Sequence, residues 1–236
     1  MRGSRIWLGQ VESPPRLVIV ENVTTWPLQH WTGTAQEFHS LDLPSERAVW
    51  RCSINSPAII LGSTQDENHI DPVVAERLKI DVARRRSGGG AVYVHPDESV
   101  WIDVVIPRDD PLWKDDISES MMWLGDVFVQ AFAPFVSAHV FRNAFDIGES
   151  GRAVCFASSS PGEVFVGDAK LVGISQRRGR YGARLQCVFY RTWNPVQWAD
   201  VFTSQQVRQA LMQMKVAVIN EPPENIIFNV LAALPQ

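Results

Sequence analysis

The residues best suited to chemistry are Arg84-Arg85-Arg86-Ser87-Gly88-Gly89-Gly90-Ala91-Val92, where three guanidinium groups run directly into three glycines. Guanidinium forks are planar and permanently charged, and they match phosphate or carboxylate oxygens. Glycine allows positive φ and close approach of a ligand to the main chain. Successive N–H groups in such a loop make a concave anion site. The combination points to an acyl-phosphate, an acyl-adenylate or another activated acyl group. The plain alternative is a glycine-rich turn with solvated arginines. Two familiar phosphate motifs fail on spacing. A Walker loop ends in Gly-Lys-Ser/Thr, and Gly90-Ala91-Val92 does not supply it. The dinucleotide fingerprint opens a helix, whereas this loop opens a strand-like run, Ala91 to Val94.

A second chemical stretch runs from Gly151 to Tyr190. It holds Cys155-Phe156, then Gly162 to Gln176, then the basic turn Arg177 to Arg184. Gly167-Asp168 should close a tight hairpin. Lys170 sits among Val166, Leu171, Val172 and Ile174, so its strand face is half apolar. A single cation in a partly desolvated strand suits an anionic centre, although a lysine there can also be a solvated surface group. Cys155 is either a small core residue or a nucleophile, and the second role needs access and a lowered thiol pKa. Cys52 and Cys187 have apolar strand neighbours and read as structural.

These stretches need elements to position them. Arg16 to Glu21 is a strand candidate after a loose arm, 1–15, that Pro14-Pro15 keeps from being helical. Thr34 to Leu43 reads as a helix with Thr34 as N-cap and Pro44 as stop. Ala48 to Ile54 and Pro57 to Gly62 read as strands. Asp71 to Ile80 is a helix with Asp71 as N-cap and Pro72 first. Asp81 to Ala83 is a strand feeding the arginine–glycine loop, and Ser99 to Ile106 alternates with Val100, Ile102, Val104 and Ile106 on one face. Asp115 to Phe135 is the longest helical stretch. From about 196 onward, short helices should form a C-terminal cap, split by Glu221-Pro222-Pro223. No linker marks a boundary, so 16–236 reads as one domain.

The chain has 236 residues, 45% hydrophobic and 20% charged, enough to bury a core. A net charge of −4 argues against a general nucleic-acid binder. No apolar run approaches the ~20 residues of a membrane span, and no signal-peptide pattern is read at the N-terminus. Three cysteines do not make a disulfide scaffold, so the expected setting is reducing and cytoplasmic.

Arg85-Arg86-Ser87-Gly88-Gly89-Gly90-Ala91-Val92, with His95 just after, resembles the Arg-Arg-x-Ser-Gly-Gly-Gly-Ala-Val motif of the lipoate-protein ligase and octanoyltransferase family. Lys170-x-x-Gly173-Ile174-Ser175-Gln176 resembles that family's Lys-x-x-Gly-x-Ala/Ser-Gln motif. The resemblance spans roughly Ala48 to Pro195. It implies the α+β biotin/lipoate ligase fold: a mixed, mostly antiparallel sheet flanked by helices, like the core of class II aminoacyl-tRNA synthetases. It implies that the loop Arg85 to Val92, with Lys170, Gly173, Ile174 and Ser175, surrounds the acyl and nucleotide groups. Gln65, at a strand end, and His95 would lie beside the ligand, though each also reads as a turn residue. His95 departs from the family, where the histidine comes one residue earlier and an Asp follows. An apolar slot for the acyl chain is expected between the glycine loop and the Lys170 strand, lined by Val92, Val172 and Ile174.

Three activities stay open on this resemblance. As a ligase, the chain would use ATP with Mg²⁺ to convert lipoate or octanoate to an acyl-adenylate, with no resident metal. As an octanoyltransferase, it would load Cys155 from an acyl carrier protein, and Cys155-Phe156 with Glu163 resembles the spacing of such enzymes. As a homologue without turnover, it would only bind. The acceptor would be a lysine of a lipoyl domain or glycine-cleavage carrier protein. The Ser87-Gly88-Gly89-Gly90 form leans toward ligases; the short chain counts against that, since a ligase of this length would need a separate accessory-domain partner or be built minimally.

Overall fold

In the computed structural model, residues 19–20, 25–42, 46–148 and 150–236 are described. The expected arm 1–15 and the helix stop Pro44 lie outside these residues. Of the expected strand Arg16 to Glu21, only Ile19–Val20 is described, as β1.

The large sheet has eight strands in the order β1, β2 (Leu28–Gly33), β3 (Ala48–Ile54), β7 (Ser99–Pro107), β11 (Gly182–Tyr190), β10 (Ala169–Arg178), β9 (Val164–Val166), β8 (His139–Val140). Neighbours are antiparallel except β2 and β3, which run parallel. A small sheet sets β4 (Ala58–Leu61) between β5 (Asp81–Arg84) and β6 (Val92–Val94). The fold is therefore α+β with a mostly antiparallel sheet, as expected.

Pleating assigns the two faces. Val100, Ile102, Val104 and Ile106 of β7 join Leu185, Cys187 and Phe189 of β11 under α3 (Ile117–Phe132). Asp116 caps α3 by accepting from Glu119 N at 2.9 Å, and Leu124, Phe128 and Phe132 recur at helical spacing on its buried face. Each such side chain contributes about 1.5–3 kcal/mol on burial. The helix is shorter at both ends than the expected Asp115 to Phe135. Against α3 packs α5 (Pro223–Ala233), through Ile226, Ile227, Val230 and Leu231. Pro222-Pro223 opens this helix, as a proline can at a first turn.

The other face carries Trp101, Val105, Val188 and Tyr190, and meets the small sheet, α1 (Ala35–Ser40) and the stretch around Trp198. A Thr34–Glu37 capping box starts α1. Asp71 caps α2 (Pro72–Leu78), and α4 (Gln205–Gln213) follows the last strand. Ala91 of the glycine loop and Val154 and Phe156 of the Cys155 turn pack on this second face.

Candidate functional site

The glycine loop is stitched to the Cys155 turn. Ala91 N donates to Ala153 O at 2.8 Å and Cys155 N donates to Ala91 O at 2.9 Å. Two glycines are required there. Gly89 has φ +94°, a conformation that disfavours any side chain. A Cβ on Gly90 would meet Val154 C at 2.6 Å and Cys155 N at 2.7 Å.

The arginines divide their work in a way the sequence did not suggest. Arg85 is turned inward and buried, donating to Ile60 O at 3.1 Å, Gly88 O at 2.8 Å and Gly90 O at 2.7 Å. It braces the loop from behind instead of presenting an open fork, because two loop carbonyls, Gly88 O and Gly90 O, and Ile60 O of β4 need donors. Arg86 reaches outward to Asp42 at 3.0 Å, an anion Arg177 shares at 3.3 Å. Arg84 ties Gly62 O, Gln65 O and Glu67 together. Ser87 is buried, 2.8 Å from Gln186 Oε1 and 3.3 Å from Ser175 Oγ.

Lys170 is 1% exposed. Its Nζ lies 2.7 Å from Glu163 Oε2 and donates to Cys155 O at 3.0 Å. The rings of Phe156 and Phe165 flank it at 5.4 and 5.8 Å. A shift in the β9–β10 register between Lys170 and Val172 controls its direction. Leu171 and Val172 both enter the core under α3, while Lys170 turns to the Phe156 side, where Gly173 and Ser175 also face. The Phe156 ring lies close over Gly173, where a Cβ would be 2.9 Å from Cε2.

Phe156 separates two hollows. One is a narrow, mostly apolar cavity of about 30 Å³, walled by Ile60, Val92, Trp101, Val188, Gly173 and Cys155. The other is an open groove of about 340 Å³ beside Lys170, Ser158, Ser159 and Lys215. The expected slot is thus corrected. Val92 lines the cavity, but Val172 and Ile174 point through the sheet to the α3 side. Lys170 belongs to the groove, with Phe156 and Cys155 between it and the cavity.

Gln65 braces the architecture: its Oε1 accepts from Gly62 N at 2.9 Å and its Nε2 donates to Ala153 O at 3.0 Å. His95 is a turn residue, its Nδ1 accepting from Asp97 N at 3.1 Å, and it lines neither hollow. Residues the sequence did not single out, His39, Trp101 and Gln186, line the cavity. Burial pushes the Cys155 thiol up, against a lowering by Lys170. Burial also raises the Glu163 carboxyl, with Lys170 opposing. Cys52 and Cys187 are buried, with thiols held well up by burial.

The same architecture is found in known proteins. Residues 27–220 match the model of the lipoyl protein ligase A/B catalytic domain, and the chain belongs to that family. A 59-residue segment is 39% identical to lipoate–protein ligase 1 of Staphylococcus aureus, covering 25% of this chain and 18% of that protein. Among solved structures, lipoate-protein ligase A bound with ATP is similar with a TM-score of 0.63 at 16% identity, over 83% of this chain and 74% of that one. The bi-partite lipoate protein ligase of Thermoplasma acidophilum, described with its E2 lipoyl domain, gives 0.62 at 17% identity, over 84% and 73%. Among the described residues, no helix is long and apolar enough to cross a membrane, and no group of three His, Cys, Asp or Glu side chains could hold a metal ion.

Proposed function

We propose that this chain is a lipoate-protein ligase. It joins lipoate or octanoate to AMP and then passes the acyl group to a lysine of a lipoyl-type carrier domain. In the first step a carboxylate oxygen of the acid attacks the α-phosphorus of ATP, and pyrophosphate leaves. In the second the acceptor amine attacks the acyl carbonyl, loses a proton, and AMP leaves. Family membership and the ATP-bound relative support this reading.

The observation that carries it is the position of Lys170, at the wall between an apolar cavity and a polar groove. An acyl-adenylate has one apolar and one polar half, joined at a phosphate. The cavity suits the acyl chain and the groove suits the nucleotide. The buried ammonium at their junction gives two of its three N–H groups to Glu163 and Cys155 O and keeps the third for the anion formed there. At about 30 Å³ the cavity is too small for an eight-carbon chain, so the acyl chain enters by moving part of its wall. Mg²⁺ would arrive with the nucleotide phosphates, an arrangement that needs one or two carboxylates from the protein. The T. acidophilum relative supports a lipoyl domain as acceptor and a separate accessory chain as partner. Three free thiols fit a reducing compartment such as the cytoplasm.

A second reading rests on Cys155, which lines the cavity and could carry the acyl group as a thioester after transfer from an acyl carrier protein. Its raised thiol pKa weighs against that role at neutral pH. Pyrophosphate release from ATP with lipoate or octanoate decides between them. The ligase predicts release that is lost in Lys170→Ala and kept in Cys155→Ser. A mass adduct from octanoyl-carrier thioester that disappears in Cys155→Ser would overturn it. Binding of the acids with neither signal would leave a homologue without turnover.

A further inference from the structure

One end of the cavity holds a buried donor with no task in the chemistry above. His39, 4% exposed, lines the cavity with its ring 4.8 Å from that of Trp101, and its Nε2 has no hydrogen-bond partner. Its Nδ1 lies 3.1 Å from Gln186 Nε2. The orientation of that amide is fixed at both ends. Gln186 Oε1 accepts from Ser87 Oγ at 2.8 Å, while its N–H group supports the buried Asp103 carboxylate. An amide nitrogen facing a carboxylate and an imidazole donates to both. Nδ1 is then the acceptor, and the single ring proton sits on Nε2. Burial, with Arg184, Arg85 and Arg177 nearby, keeps the ring neutral by lowering its pKa to about 3. The result is an uncharged N–H offered inside a wall of Ile60, Val92, Trp101 and Val188.

The cavity itself links Lys170 to this donor: Cys155, whose carbonyl accepts from Lys170 at 3.0 Å, and Phe156, whose ring flanks the amine, line the same hollow as His39. An acyl chain with its head at Lys170 therefore directs its tail toward His39. A plain alkyl tail would leave this already buried N–H without a partner, whereas an acceptor atom placed there would satisfy it.

We propose that His39 reads the far end of the acyl chain, so that the pocket prefers a chain carrying an acceptor atom there, as the sulfurs of a dithiolane ring do, over a plain octanoyl chain. The inference rests on the acyl-binding reading above. A disulfide sulfur, like a thioether sulfur, is a weak acceptor, so the selectivity should be moderate.

Calorimetric titration of the full chain with lipoate and with octanoate tests it without depending on turnover. The expected result is lipoate about tenfold tighter, collapsing to within about twofold in His39→Leu. His39→Gln, which keeps an amide N–H near the same place, should retain most of the preference. Equal affinities in the unaltered protein, or a ratio unmoved by His39→Leu, would overturn the proposal and leave the ligase reading standing. If neither acid binds, both fall. Should His39→Leu fail to fold, the ratio in the unaltered protein and in His39→Gln decides: a preference lost in His39→Gln counts against the donor.

Discussion

Lys170 Nζ and Glu163 Oε2 stand 2.7 Å apart with both side chains almost wholly out of water. Ser160 N, donating to Glu163 Oε2 at 2.7 Å, and Cys155 O, accepting from Lys170 at 3.0 Å, complete the pair. The cation is thus compensated before any ligand arrives. Removing one member of such a pair strands the other, at about 3–5 kcal/mol. Lys170→Met and Glu163→Leu should each cost about that much in denaturant unfolding, and the double variant clearly less than their sum. Strictly additive costs would show that the two are not coupled.

Cys155 should be slow to alkylate at neutral pH, because burial holds its thiol above the ordinary value. The neighbours act in opposite senses: Lys170 lowers the thiol pKa and Glu163 raises it. Glu163→Gln should therefore shift the iodoacetamide rate profile to lower pH, and Lys170→Met to higher pH. An inflection below pH 8 in the unaltered protein would favour the thioester route instead.

Gly90→Ala should disrupt the seam between loop and turn. The added methyl would lie within 2.7 Å of backbone atoms of Val154, Cys155 and Gly151, none of which can swing aside. A loss of several kcal/mol in thermal or chemical unfolding is expected, on the scale of overpacking and backbone shift. Gly88→Ala, with nothing within 4 Å of its Cβ, should be close to neutral.

His39 makes stability pH-dependent in one direction. Its folded pKa is about 3 and its ordinary value 6.5, so the unfolded chain binds this proton more readily. The contribution is complete above pH 6.5 and drains away as pH falls toward 3. His39→Leu should flatten the fall in unfolding free energy between pH 6.5 and 4.5. A slope unchanged by the substitution would assign the acid loss to other groups.

The loop Arg85 to Val92 and the Lys170 strand were legible because their residues are contiguous and their types unusual. Helix starts at Thr34 and Asp71 were legible because capping is local. Strand β2 was missed: Leu28–Gly33 mixes buried and half-exposed positions without clean alternation, and its parallel partner β3 lies beyond a helix. His39 was missed for a different reason. Its partner Gln186 is 147 positions away, and only the packing of α1 across β11 brings them together. Arg85 was read as an open anion fork because sequence shows a charge and not its heading.

The irregularity between Lys170 and Val172 gives the Lys-x-x-Gly spacing a meaning of its own. Two residues three apart on an unbroken strand look out of opposite sides of a sheet. Here Lys170 and Gly173 share a side only because one pleat is skipped. That stretch therefore encodes a parity as well as a lysine. Deleting Leu171 would remove that extra residue and leave a regular strand, with Lys170 two positions before Gly173 and the amine still on their shared side; straightening the strand with Leu171 kept would instead swing the amine under α3.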